Sequence, residues 1–237
     1  MYPIYEFGIS RKEFLKKCMR HELKYKINYS DYLALKSRLC SVMKLDSHTV
    51  NGKYLIRSIY FDNYNDKALR EKINGVQKRE KFRIRWYNDD FSFITLEKKM
   101  KFNNLCSKFD ATITYEQLTA ILNGECDFMA FDENPLIREF YYKMKSQCLK
   151  PRVVVSYTRE PFVFDTGNVR VTFDSNIKTS LFSKALLDNE YGVKASDDII
   201  LEVKYDAFLP EIIASLLQVE GVRQGAFSKY GVCRRFG

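Results

Sequence analysis

The chain has 237 residues, 46% hydrophobic and 15% aromatic, and its Tyr and Phe (16 and 18) outnumber its Gly and Pro (10 and 5). That composition excludes a disordered or low-complexity chain, suits a strand-rich globular one, and leaves the length within reach of one domain. Lys and Arg number 39 against 30 Asp and Glu, and the resulting charge of +9 points to an anionic partner: nucleic acid, a membrane surface or a phosphate compound.

In chain order, residues 1–17 read as a short N-terminal extension, helical from Ser10. A strand follows over Met19–Asn28, then a helix starting at Ser30-Asp31 with the apolar stripe Tyr32, Leu35, Leu39 and Val42/Met43. Tyr54–Asp62 is strand-like, and Asn65 is placed to cap a short helix over Asp66–Ile73 that Asn74-Gly75 ends. Lys78–Trp86 and Phe91–Lys99 form a hairpin pair around Asn88-Asp89-Asp90. Thr114–Leu122 and Pro135–Cys148 are predicted helices, and Pro151–Arg159, Val169–Asp174 and Ile199–Tyr205 are predicted strands. Pro210–Leu217 is a helix with proline at a tolerated early position, and Phe227–Gly231 a final short strand. With no internal repeat and no linker, residues 1–237 are read as one α+β domain built on antiparallel pairing.

The six cysteines (Cys18, Cys40, Cys106, Cys126, Cys148, Cys233) form no CxxC pair, and only His21 and His48 could join them on a metal. Zinc is therefore not expected, and the cysteines read as reduced, mostly buried thiols. No apolar run approaches the ~20 residues of a membrane span, and the N-terminus lacks an apolar signal core. A cytoplasmic protein without a transmembrane segment is expected.

The unusual feature is a charged strand face that recurs. Side chains alternate across a strand, so Phe82, Ile84 and Trp86 share one face while Arg83 and Arg85 share the other. Glu22, Lys24 and Lys26 alternate against Leu23, Tyr25 and Ile27. Glu97 and Lys99 share a face, as do Tyr157 and Arg159. Arg170, Thr172 and Asp174 oppose Val169, Val171 and Phe173, and Glu202, Lys204 and Asp206 oppose Leu201, Val203 and Tyr205. One such strand is ordinarily a solvated face. Five, rich in Arg and Lys with a few acids and accompanied by helices able to cover the apolar side, point to a polar-lined interior. Buried cations repel one another and become tolerable beside a polyanion; phosphates meet that need, and the interspersed carboxylates suit Mg²⁺ or Mn²⁺. Trp86 reads as core on the outer face and His21 as structural. Of the run Lys98-Lys99-Met100-Lys101, only Lys99 takes a site role; Lys16-Lys17 and Arg234-Arg235 read as surface charges.

These segments resemble the catalytic domain of the vacuolar transporter chaperone (VTC) polyphosphate polymerases, within the CYTH or triphosphate tunnel metalloenzyme superfamily. The resemblance is carried by Arg20-His21-Glu22-Leu23-Lys24-Tyr25, Ser58-Ile59-Tyr60-Phe61-Asp62-Asn63, Lys81-Phe82-Arg83-Ile84-Arg85-Trp86-Tyr87 and Leu96-Glu97-Lys98-Lys99. It continues through Tyr157-Thr158-Arg159-Glu160-Pro161-Phe162, Arg170-Val171-Thr172-Phe173-Asp174, Leu201-Glu202-Val203-Lys204-Tyr205 and Phe227-Ser228-Lys229-Tyr230. Each motif alone is weak; their order from about Arg20 to Lys229 is specific.

The resemblance implies an eight-stranded antiparallel tunnel barrel with helices outside. It implies phosphate binding at Lys24, Arg83, Arg85, Lys99, Arg159, Arg170 and Lys229 and metal binding at Glu202; face parity adds Lys26, Lys204, Glu22, Glu97 and Asp174. Arg83, Arg85, Arg159 and Arg170 are expected to hold the transferred group, Lys24, Lys26, Lys99, Lys204 and Lys229 to guide the chain, and Glu202, Glu22, Glu97 and Asp174 to supply metal ligands. The expected activity is transfer of the γ-phosphate of ATP, or another triphosphate, to inorganic polyphosphate, with Mn²⁺ or Mg²⁺. Hydrolytic superfamily members carry ExExK on the first strand; here the positions are Arg20, Glu22 and Lys24, which loses a candidate metal ligand and fits a polymerase better. A triphosphatase and a non-catalytic polyphosphate binder are the alternatives. Nucleic acid is not expected, since no helix carries a basic recognition pattern.

Overall fold

A computed structural model describes residues 20–102, 105–181, 192–219 and 221–236, and its frame is a ten-stranded sheet with helices, an α+β architecture. In chain order the elements are β1 (His21–Ile27), α1 (Tyr29–Cys40), β2 (Lys44–Leu45), β3 (Tyr54–Asp62) and α2 (Lys67–Ile73). Then come β4 (Lys78–Tyr87), β5 (Asp90–Phe102), β6 (Leu105–Ile113), α3 (Tyr115–Asn123), a 3₁₀ turn (Asp127–Phe131), α4 (Pro135–Gln147) and β7 (Lys150–Phe164). The chain ends with β8 (Val169–Leu181), β9 (Val193–Ser196), β10 (Ile199–Tyr205), α5 (Glu211–Leu216) and α6 (Lys229–Cys233). The sheet order is β1-β10-β8-β7-β3-β4-β5-β6, with β2 added to β7 and β9 to β8. The pairs β1–β10, β10–β8, β4–β5 and β5–β6 are antiparallel.

Eight strands lie on the main path, but the pairing does not close them into the expected barrel: β1 and β6 end the path. A local reason is visible at β1. Its free edge is met by the segment around Gln224, through a bridge from Tyr25 and a hydrogen bond from the Gly225 N–H to the Lys24 carbonyl (2.9 Å).

Two compact units divide the chain. The first is built from Ser58–Val154. There, Phe82, Ile84 and Trp86 of β4 and Ile94 and Leu96 of β5 form the apolar face, covered by Leu118 and Ile121 of α3 and Phe140 of α4. Trp86 is fully buried and stacks on Phe91, so it is core as expected. The β4–β5 turn has Asn88 and Asp89 both at positive φ (51° and 56°), the backbone that twists with the strands it joins.

The second unit comprises Arg20–Arg57, Val155–Ser180 and Tyr191–Gly237. Leu35 and Leu39 of α1 and Ile213 of α5 cover Phe162, Val171, Phe173, Leu201 and Val203. Helix α1 starts a residue earlier than the pattern suggests because Asn28 caps it, accepting from the Asp31 N–H (2.8 Å) while Asp31 returns the bond.

Several boundaries differ from the sequence reading. Asn65 does not cap α2; the N-cap residue is Asp66, and the first N–H groups are taken from the end of β3, Lys67 by the Asn63 side chain (3.0 Å) and Ala68 (2.9 Å) and Leu69 (3.2 Å) by Asp62. Strand β6 was not anticipated. The predicted final strand is instead α6, because the Ser228 hydroxyl accepts from the Gly231 N–H (3.2 Å) and starts a helix. The extension expected over 1–17 lies outside the described residues.

Candidate functional site

In the second unit, β1, β10 and β8 line up two cross-strand rows on the face opposite the apolar core. Lys24 stands opposite Glu202 and Glu202 opposite Thr172; Glu22 stands opposite Lys204 and Lys204 opposite Arg170. This face is not solvated. Asp174 is 0% exposed, Glu202 4% and Arg159 8%, where a solvated sheet face would leave charges in water.

Asp174 anchors the cluster. Arg159 of β7 grips it with two parallel bonds, Nε to Oδ1 (2.6 Å) and Nη2 to Oδ2 (2.7 Å), and Lys229 of α6 reaches Oδ2 at 2.5 Å. Both cations also lie over the Tyr157 ring, Lys229 Nζ at 4.7 Å and the Arg159 guanidinium at 5.4 Å from its centroid. Glu202 meets Lys204 Nζ (2.7 Å), Lys24 Nζ (3.4 Å) and, at 4.0 Å, Arg159 Nη2. Lys24 is also bound to Glu22 (2.7 Å).

Burial alone would push both carboxyls up, and they repel each other. Arg159 and Lys229 beside Asp174, and Lys204 and Lys24 beside Glu202, outweigh this and hold both below the usual carboxylate range. Burial likewise disfavours the Lys24 ammonium, yet Glu202 and Glu22 raise its pKa above that of an ordinary lysine. Asp174, Glu202 and Lys24 are therefore held in their charged forms at neutral pH.

Two other predicted positions in this unit, Arg170 and Lys26, and the motif residue Arg20 find partners outside that cluster. Arg170 donates through Nη2 to Asp46 (2.7 Å) and to the Tyr54 hydroxyl (2.7 Å). Lys26, its side chain 62% exposed, pairs with Asp198 (2.8 Å) at the strand end. Arg20, standing where the hydrolytic pattern has its first carboxylate, turns to Asp206 (2.8 Å).

The first unit carries a second cationic group. Glu97, 1% exposed, receives Arg83 Nε (2.6 Å), Arg85 Nη1 (3.4 Å) and Lys108 Nζ (3.0 Å). Burial opposes its ionisation, but these cations hold its carboxyl far below the usual range. Arg83 also donates to the Tyr60 hydroxyl (2.8 Å), and Arg85 to the Ser58 hydroxyl (3.4 Å). Lys99, half-buried, stands directly opposite both Lys81 and Lys108.

Sequence reasoning missed Tyr60, Lys108, Asp46 and Tyr54. Tyr60 and Ser58 alternate with the core residues Ile59 and Phe61, a usable signal. Lys108 shares a face with Asp110 and Thr112 on β6, the strand not anticipated. Asp46 follows a two-residue strand too short to read from periodicity.

The residues fit a divalent ion only in part. Among the described residues no three His, Cys, Asp or Glu side chains gather as a ready-made metal group. Asp174 and Glu202 are, however, buried carboxylates close enough to affect each other's titration. Two carboxylates suit an ion such as Mg²⁺ that takes its remaining ligands from water and substrate phosphates.

No curated protein sequence matches the chain. Among solved structures, a candidate adenylate cyclase from Bacillus halodurans is 15% identical, with 83% of this chain and 86% of that one covered and a TM-score of 0.48. A conserved hypothetical protein from Pyrococcus furiosus is 14% identical over 86% and 94% of the two chains, with a TM-score of 0.46. The Mimivirus capping enzyme triphosphatase is 12% identical over 82% and 90%, with a TM-score of 0.36. Likeness at these levels carries no functional weight. The family profile described as the VTC domain matches residues 19–236, both units together, and the chain belongs to that family.

Proposed function

We propose that the protein is a polyphosphate polymerase, moving the γ-phosphate of ATP to the end of an inorganic polyphosphate chain with the help of Mn²⁺ or Mg²⁺. The observation that carries this is the convergence of Lys24, Arg159, Lys204 and Lys229 on the buried carboxylates Asp174 and Glu202, with Glu22 beside Lys24. Burying ions without a purpose is costly, and replacing them with apolar residues commonly stabilises a fold. A strand face that keeps them is suited to an anionic guest.

In this reading Arg159 and Lys229 present N–H donors to phosphate oxygens, and Lys24 and Lys204 act as point charges. Arg83, Arg85 and Lys99 bind phosphate in the first unit, and Arg170 holds a further oxygen. The nucleophile is a terminal phosphate oxygen of the chain, already ionised at neutral pH, so no general base is needed; it bonds to the γ-phosphorus as the bond to the β–γ bridging oxygen breaks and ADP leaves. Orientation and charge neutralisation perform the step. Glu202 and Asp174 would hold the metal, which when bound neutralises charge across the phosphates. VTC family membership supports the same activity.

The test is incubation of pure protein with ATP and Mn²⁺. Long polyphosphate is expected, and Glu202→Gln is expected to abolish it. Orthophosphate without chain growth would select a triphosphatase instead. Tight polyphosphate binding with no turnover, unchanged by Glu202→Gln, would select a binder.

A further inference from the structure

One buried group in the second-unit cluster has no partner. The Thr172 hydroxyl, on a residue 2% exposed, makes no hydrogen bond to any of the described residues. Buried hydroxyls are nearly always paired, because leaving one unpaired forfeits its hydration with nothing in return. Two acceptors are at hand: Glu202 is the direct cross-strand neighbour of Thr172, and Asp174 is two residues on along the same face. Both are engaged by cations instead. Arg159 and Lys229 take the Asp174 oxygens, and Lys204 and Lys24 those of Glu202. Strand propensity does not explain the residue either, since valine fills the adjoining strand positions Val171 and Val203 on the apolar face without an orphan hydroxyl. Two residues back on the same face, the Arg170 Nε–H is a second buried donor without a partner. The polar face of β8 thus presents two unspent donors beside a cationic cluster, and no matching pair of acceptors.

We propose that Thr172 is a substrate-binding residue whose hydroxyl donates to a non-bridging phosphate oxygen of the triphosphate or polyphosphate, next to the charges of Lys24 and Arg159. This deepens the phosphate reading of the cluster and rests on it. A phosphate oxygen is an acceptor only, which is what an orphan donor lacks. The hydroxyl adds direction to a site otherwise made of ammonium point charges and one guanidinium.

The experiment compares the full chain with Thr172→Val, which keeps shape and β-branching and removes the hydroxyl, and with Thr172→Ser, which keeps the hydroxyl. Binding of inorganic tripolyphosphate is measured by calorimetry without metal and with Mg²⁺, and thermal unfolding is followed without ligand. Thr172→Val is expected to bind roughly tenfold more weakly in both conditions, as for loss of one hydrogen bond to a charged group. Thr172→Ser is expected to stay within about threefold of the parent, and the ligand-free valine variant to be at least as heat-stable as the parent. Equal affinity of the valine variant and the parent would overturn the inference while leaving the phosphate site intact. So would a loss seen only with Mg²⁺, which would move the hydroxyl to the metal's water. A ligand-free valine variant less stable than the parent would mean that the hydroxyl already has an internal partner. A parent that does not bind tripolyphosphate at all would sink the phosphate reading itself, and this inference with it.

Discussion

Tyr60 departs from the chemistry of its type. Burial would raise its pKa, but Arg83, Lys81 and Arg85 outweigh burial and bring it down to about 7. A phenol whose folded pKa lies below its unfolded value near ~10 contributes stability that is full above that value and drains as pH falls toward 7. An ultraviolet titration of the ligand-free protein should therefore show one tyrosine ionising near neutrality, lost in Tyr60→Phe. If every tyrosine titrates together at alkaline pH, the cations are not acting on it. Asp174 makes the sharper stability case. Removing its carboxylate leaves Arg159 and Lys229 buried without their shared partner, so Asp174→Ala should lower the unfolding free energy by about 3–5 kcal/mol. A denaturant midpoint equal to the parent's would contradict that. Both cases mark the limit of reading residues from sequence. Alternation placed Asp174 on the polar face, but only the fold brings Arg159, on the preceding strand 15 residues back, onto both of its oxygens. Tyr60 was within a quoted motif, yet its perturbation comes from β4, which no local pattern connects to it. Lys26 is the converse: parity put it beside Lys24, but it lies at the strand end, where it pairs with Asp198 in solvent. Lys26→Ala should weaken tripolyphosphate binding far less than Lys24→Ala.

At the level of elements, most helices and strands were legible because their signals are local. The α1 stripe, the Asn88-Asp89 turn and proline at the first position of α4 each act within a few residues. Asn28 is worth testing for this reason. Asn28→Ala removes the reciprocal cap of α1 and should cost about 1 kcal/mol, read as a shift in denaturation midpoint without a change of slope. The misses have physical causes too. Strand β6 contains Cys106, Ser107, Lys108 and Asp110, residues with weak strand propensity held in place by pairing along β5. The segment at Phe227–Gly231 has the aromatic content of a strand, but one serine cap outweighs it and winds α6, which carries Lys229 to Asp174. Barrel closure was an expectation from family resemblance, and nothing in single-strand patterning tests which strand edges meet.

The whole chain joins an excess of nine positive charges to a set of carboxylates that are buried yet ionised. Those carboxylates dictate its acid response. With folded pKa values below the unfolded ones, Glu97, Asp174 and Glu202 stabilise the protein above the ordinary carboxylate range near ~4 and lose that contribution as pH falls through their folded values. Acid unfolding should therefore begin below that range. The cations dictate the response to ligand. A guest that binds only the folded chain stabilises it by mass action, so tripolyphosphate at a hundred times its dissociation constant should add about 2.7 kcal/mol, or roughly 5–10 °C in melting temperature. Because the attraction is between charges, added salt should erode the shift, least for the buried group around Asp174 and most for half-exposed cations such as Lys108. Sulfate at matched ionic strength is the discriminating control. A site shaped for linked phosphates should respond to tripolyphosphate well beyond what sulfate produces, whereas equal shifts would reduce the cationic strand faces to a general attraction for anions.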